Sequence, residues 1–97
     1  MTQNLTHTTC TVATEHGSRY LQQLCKHWAH KFEVEFDPTR GRIAMPEDRV
    51  ITLTAGPQAL TIALTAPAES AAATQRVIDA HIERFAFREE LSFDWQG

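Results

Sequence analysis

Ninety-seven residues, 42% hydrophobic and 22% charged, give the balance of a globular domain with room for one core and not for two. A formal net charge of -3 argues against a sequence-blind nucleic-acid binder, which needs a basic face, and gives no attraction to anionic lipid. No apolar run approaches the roughly 20 residues of a membrane span, and MTQNLTHTTC has neither the basic nor the apolar region of a secretory leader, so a cytoplasmic protein is expected.

In chain order, residues 1–7 are expected to be a loose tail on a single α+β domain spanning 1–97. Thr8 to Thr14 alternates, with Cys10 and Val12 on one face and Thr9, Thr11 and Ala13 on the other, as a half-buried strand does. From Ser18 to Phe32 the period changes. Tyr20, Leu21, Leu24, Cys25, Trp28, Ala29 and Phe32 form one apolar stripe on a helix, with Ser18 placed to cap it and Gly17 letting the chain turn ahead of it. Gln22, Gln23, Lys26, His27 and His30 lie on its wet side.

Phe32, Val34 and Phe36 alternate with Glu33 and Glu35 as a second strand. Asp37 to Gly41 is a turn by composition. Arg42 to Met45, Val50 to Ala55 and Leu60 to Thr65 give three more strands, parted by Pro46-Glu47-Asp48 and Gly56-Pro57-Gln58. Pro67 suits the first turn of a second helix, and Glu69 suits the positive end of its dipole. That helix runs to Phe85 or Arg88 with the stripe Ala71, Thr74, Val77, Ile78, His81, Ile82 and Phe85. Leu91, Phe93 and Trp95 then form an extended tail that docks by its apolar side, with a sixth strand as one way of docking. The order β-α-β-β-β-β-α plus tail predicts an antiparallel sheet with both helices on one face. In topology this resembles one half of the TATA-binding-protein fold and the helix-grip folds near it, a likeness that does not carry function.

Few residues suggest chemistry. Cys10 and Cys25 both fall on inward faces and read as reduced core thiols; the other reading is a disulfide, which needs Cα atoms within about 7 Å. His27 and His30, three apart on a helix, are half of a metal site if a third ligand comes from elsewhere; the other reading is two solvated histidines beside Lys26 and Lys31. His81 falls inside the apolar stripe of the second helix, where its ring must find a hydrogen bond, to a backbone carbonyl or to a functional partner. Glu33 and Glu35 share a strand face at about 7 Å, as a carboxylate pair or as an ordinary solvated edge. There is no nucleophile elbow, phosphate loop, dinucleotide fingerprint or Cys-x-x-Cys. The outer sheet face gathers Thr9, Thr11, Glu33, Glu35, Arg42, Thr52, Thr54, Thr61 and Thr65. It is either a wet threonine face or the surface of a homodimer.

Two stretches, YLQQLCKHWAHKFEVEF (Tyr20 to Phe36) and VIDAHIERFAFREELSFDWQ (Val77 to Gln96), with ALTIALTAP between them, resemble the bacterial domain-of-unknown-function family 2218 over nearly the whole chain. The resemblance implies a small bacterial cytoplasmic α+β domain with no assigned activity and no catalytic residue to carry over. It also implies a link to siderophore-interacting flavin reductases, and so to iron uptake. The reading that follows is a non-enzymatic binding or accessory domain using a surface with His27, His30 and His81. Its partner would be a siderophore-interacting reductase or a small-molecule ligand, and its cofactor is unknown. The alternatives are a small metal-dependent or acid/base enzyme with a site between helices and sheet, and a module that dimerises through the threonine face.

Overall fold

Alternation with period two becomes strand in the five stretches ahead of the second helix that show it, and in the C-terminal tail only Trp95 and Gln96 do so. The computed structural model describes residues 4–97. The elements run β1 (Leu5–Ala13), α1 (Gly17–Trp28), β2 (Glu33–Phe36), β3 (Arg40–Met45), β4 (Arg49–Ala55), β5 (Ala59–Pro67), α2 (Ala68–Phe85) and β6 (Trp95–Gln96). The strands form one sheet in the order β2-β3-β4-β5-β1-β6, with every neighbouring pair antiparallel. This is the α+β architecture that the element order implies.

The meander from β2 to β5 needs only short turns. The first is built by Asp37, whose Oδ1 accepts from the amides of Thr39 and Arg40, both at 2.8 Å, and from the Thr39 hydroxyl at 3.0 Å. Those bonds hold the Asp37 carboxyl below the usual carboxylate range. The turn between β3 and β4 places Glu47 and Asp48 at φ 65° and 61°, two adjacent left-handed residues of the kind a mirror-image hairpin turn requires. β1 and β2 run parallel on opposite sides of β3–β5, so α1 must cross those three strands to join them.

Several boundaries differ from expectation. β1 begins at Leu5, so Leu5, Thr6 and His7 pair with Pro67, Ala66 and Thr65 instead of trailing as a tail; residues 1–3 of the expected tail lie outside the described residues. α1 ends at Trp28, where Lys31 N and Phe32 N both donate to the Trp28 carbonyl, and Ala29 and Phe32 fall outside the helix. Ser18 is not the cap. His16 takes that position without a side-chain bond, and the Ser18 hydroxyl donates to Pro38 O instead. Gly17 sits at a close approach: a Cβ there would lie 3.3 Å from both Ala59 O and Leu60 Cβ, so those neighbours would have to give by a few tenths of an ångström. Val77, read as part of the α2 stripe, is exposed, because the buried face runs through Ala71, Thr74, Ile78 and Ile82.

The core lies between the sheet and the helices. Leu21, Leu24 and Cys25 of α1 and Ile78 and Ile82 of α2 meet Val12, Ile43, Ile51, Leu53, Leu60, Ile62 and Leu64, all at most 1% exposed. Burial of each large aliphatic side chain contributes about 1.5–3 kcal/mol. Among the described residues no buried side-chain polar atom lacks a hydrogen-bond partner. Buried Thr8 accepts from Gln75 Nε2 at 3.0 Å, tying α2 to β1, and buried Thr74 donates to Ser70 O at 2.9 Å. Cys10 and Cys25 are both free and buried, which bears out the core-thiol reading. Burial pushes both thiols up, Cys25 to about 11, so neither is a ready nucleophile.

The C-terminal tail does form a sixth strand, Thr9 and Cys10 pairing with Gln96 and Trp95. It is pinned from the helix side by the Trp95 indole N–H, which donates to Asp79 Oδ1 at 3.0 Å and Oδ2 at 3.3 Å. Burial, with the charge of Glu83 adding to it, raises the Asp79 carboxyl above its ordinary value, and the indole bond opposes the shift. A raised folded pKa means that the fold prefers the protonated acid. That contribution is present below the unfolded value and is lost as pH rises through the folded one. Asp79→Asn keeps an acceptor for the indole and removes the charge. It should therefore be more stable than wild type at pH 7, with the difference closing below about pH 4. Urea denaturation at the two pH values measures this; an asparagine variant less stable at pH 7 would contradict it.

Candidate functional site

A buried tyrosine needs a partner for its hydroxyl, and Tyr20 finds one far along the chain. Its hydroxyl donates to Glu89 Oε2, and Thr14 Oγ1 donates to the same oxygen at 3.0 Å. Thr14 Oγ1 also accepts from His16 N at 3.0 Å, so the turn into α1 is fixed by the same group. Burial, then the Glu89 hydrogen bond and charge, push the Tyr20 phenol up to about 12, so it stays a neutral donor. These bonds hold the segment after α2 against the start of α1.

Between the two segments lies a cleft of about 490 Å³ lined by His16, Arg19, Tyr20 and the run from Phe85 to Glu89. Arg19 and Arg88 bring two guanidiniums and Glu89 one carboxylate, so the lining is net positive on a chain of net charge -3. Phe87 is 79% exposed, with the Arg88 guanidinium 5.3 Å from its ring centroid, and the His16 and Tyr20 rings meet edge-on at 6.3 Å. This arrangement can hold a small anion and stack a ring beside it.

Nothing in the sequence pattern marks this cleft. The helical stripe places Tyr20 in the core, where it is found, but no periodicity links it to Glu89. The signal was present in Tyr20 itself, whose burial demanded a distant acceptor.

The fold brings together two of the histidines singled out by sequence. His27 and His81 come together where α1 crosses α2, with ring centroids 5.1 Å apart. His81 also lies 5.0 Å from the Trp28 ring, and His27 lies 6.2 Å from Phe85. His81 is half-buried, and its ring is satisfied through Nδ1, 2.7 Å from Val77 O, the backbone-carbonyl solution expected of it. α1 stops at Trp28, so His30 lies in the exposed turn beyond it. Among the described residues no group of three or more His, Cys, Asp or Glu side chains is placed to hold a metal ion.

Glu33 and Glu35 are exposed on edge strand β2, opposite Ala44 and Arg42. On the outer sheet face Thr9, Thr11, Thr52, Thr54 and Thr61 are exposed and Thr65 half-buried, with the His7 ring 2.9 Å from the Thr65 hydroxyl. Among the described residues no helix is long and apolar enough to cross a membrane.

Comparison with known proteins agrees with this fold. The chain is similar over 93% of its length to the solution structure, determined by NMR, of PA4090 from Pseudomonas aeruginosa. The two are 41% identical with a TM-score of 0.76, and the match covers 94% of that protein. No curated protein matches the chain. A family model described as "Uncharacterized protein conserved in bacteria" matches residues 9–96, which take in every strand and helix described above except the first four residues of β1. The chain belongs to that bacterial family, DUF2218.

Proposed function

We propose that the domain is a non-enzymatic binding module that takes a small, ring-bearing anion in the cleft between the start of α1 and the segment after α2. The observation that carries this reading is the state of Glu89. Its carboxylate is engaged by the Tyr20 and Thr14 hydroxyls and so braces the wall, while Arg19 and Arg88 give the lining its net positive charge. A guanidinium fork matches a carboxylate in plane and charge. Phe87, 79% exposed, offers a ring face beside it. The cleft volume falls within the roughly 300–1,000 Å³ of small-ligand sites.

The physiological setting we propose is accessory to iron uptake, beside a siderophore-interacting reductase or holding an acidic aromatic fragment of an iron chelator. Supporting it are the sequence resemblance described above and the fit of a catechol carboxylate to two arginines and a phenylalanine. The space between helices and sheet, where an acid/base enzyme would place its site, is filled by Leu21, Leu24, Ile62 and Ile78, which favours binding over catalysis.

Titration of ¹⁵N-labelled protein with 2,3-dihydroxybenzoate, and with catechol as its counterpart lacking the carboxylate, tests the reading. Amide shifts should concentrate at residues 16–20 and 85–89. Affinity should fall about tenfold or more for catechol, and for the Arg19→Gln/Arg88→Gln variant, since a charged hydrogen bond is worth about 1.5–3 kcal/mol. No shifts in the cleft, or the same response without the arginines, would overturn it.

A further inference from the structure

We infer that His27 and His81 form a two-histidine site for a late first-row divalent ion, open on its remaining coordination positions. The crossing of α1 and α2 brings the rings together from residues 54 apart in sequence, with centroids 5.1 Å apart and planes inclined by 51°. An ion about 2.0–2.1 Å from one nitrogen of each ring, with a tetrahedral angle between them, places the centroids about 5 Å apart. The observed spacing accommodates one ion shared by the two imidazoles.

His81 is also prepared for the role. A carbonyl oxygen only accepts, so the 2.7 Å contact with Val77 O requires that Nδ1 carry the proton. In the neutral ring Nε2 is then the nitrogen with a free lone pair, and the bond to Val77 O fixes the ring orientation. Donation of the second ring nitrogen to a carbonyl is how metal-bound histidines are ordinarily held. His27 is exposed and His81 half-buried, so the pair is accessible. Trp28 and Phe85 lie against the pair and give it an apolar side.

Imidazole donors select nickel, copper and zinc over magnesium and calcium. With two ligands from the chain, water or a chelating small molecule supplies the rest. This inference uses none of the arginines of the cleft, so either reading stands or falls without the other.

Calorimetry of the whole chain with nickel chloride and with zinc chloride tests it. The wild type should take one ion. His27→Gln and His81→Gln should each lose about tenfold or more in affinity, while His30→Gln should change it less than about twofold. Nickel, and not zinc, should also quench tryptophan emission through Trp28, whose ring lies 5.0 Å from His81. Circular dichroism on each variant shows that it is folded; His27 is exposed, so its substitution keeps the test decisive if His81→Gln unfolds the chain. Wild-type affinity in a folded His27→Gln or His81→Gln protein, loss of binding in His30→Gln, or no binding by the wild type would each overturn the assignment.

Discussion

Truncation of Trp28 to alanine should cost about 3–5 kcal/mol, the largest loss of any single core substitution in this chain. Trp28 is 4% exposed at the last position of α1. Its ring meets Phe32 edge-on at 5.9 Å and lies 5.0 Å from the ring of His81, so it joins the chain leaving α1 to the flank of α2. Alanine would remove that shared surface and leave a cavity that the sheet on one side and two helices on the other cannot close. A domain of this size has about 5–15 kcal/mol of stability, so the variant should be folded but marginal in water. Urea denaturation measures the loss, with Trp28→Phe as the control that keeps a ring in place. A loss below about 1 kcal/mol would show that the indole is not an integral part of the core. The truncation should also disturb the His27–His81 pair, which leans on the same ring.

Gly41→Ala should cost about 1–3 kcal/mol, and Cys25→Ala should relieve most of that cost. Gly41 sits in β3 facing the core, where Cys25 and Leu21 of α1 lie over it. A Cβ added there would come within 2.7 Å of Cys25 Sγ and 3.4 Å of a Leu21 methyl. The sulfur is fully buried and cannot swing aside, so helix or strand would have to shift. Alanine at position 25 removes the obstructing atom. The coupling in a double-mutant cycle should therefore be of opposite sign to the two single losses, and at least about 1 kcal/mol in size. Purely additive losses would mean that the backbone yields at this point and that the glycine is not set by the sulfur. The same geometry gives Cys25 its role: with its thiol pushed up to about 11, it serves as a small apolar filler where α1 and β3 nearly touch.

The local patterns determined the elements. The period-two stretches around Val12, Ile43, Leu53 and Ile62 are strands, the apolar stripe from Tyr20 to Trp28 is a helix, and the proline- and glycine-marked segments are turns, because each depends only on which side of a strand or helix faces water. The antiparallel meander followed from its short connections, and the burial of Cys10 and Cys25 from their place in those patterns. What the local pattern could not determine were contacts between segments distant in the chain. The period that placed Phe32 in the stripe says nothing of the carbonyl of Trp28, which takes up the amides of both Lys31 and Phe32 just past the last residue of α1. The meeting of His27 with His81, and the bonds of Tyr20 and Thr14 to Glu89 that raise the wall of the cleft, depend on the angle at which α1 crosses the sheet and on where the chain goes after α2. A side chain's periodicity records whether it is buried; which partner it meets there is decided by the packing of whole elements, and in this protein both candidate sites lie at such meetings.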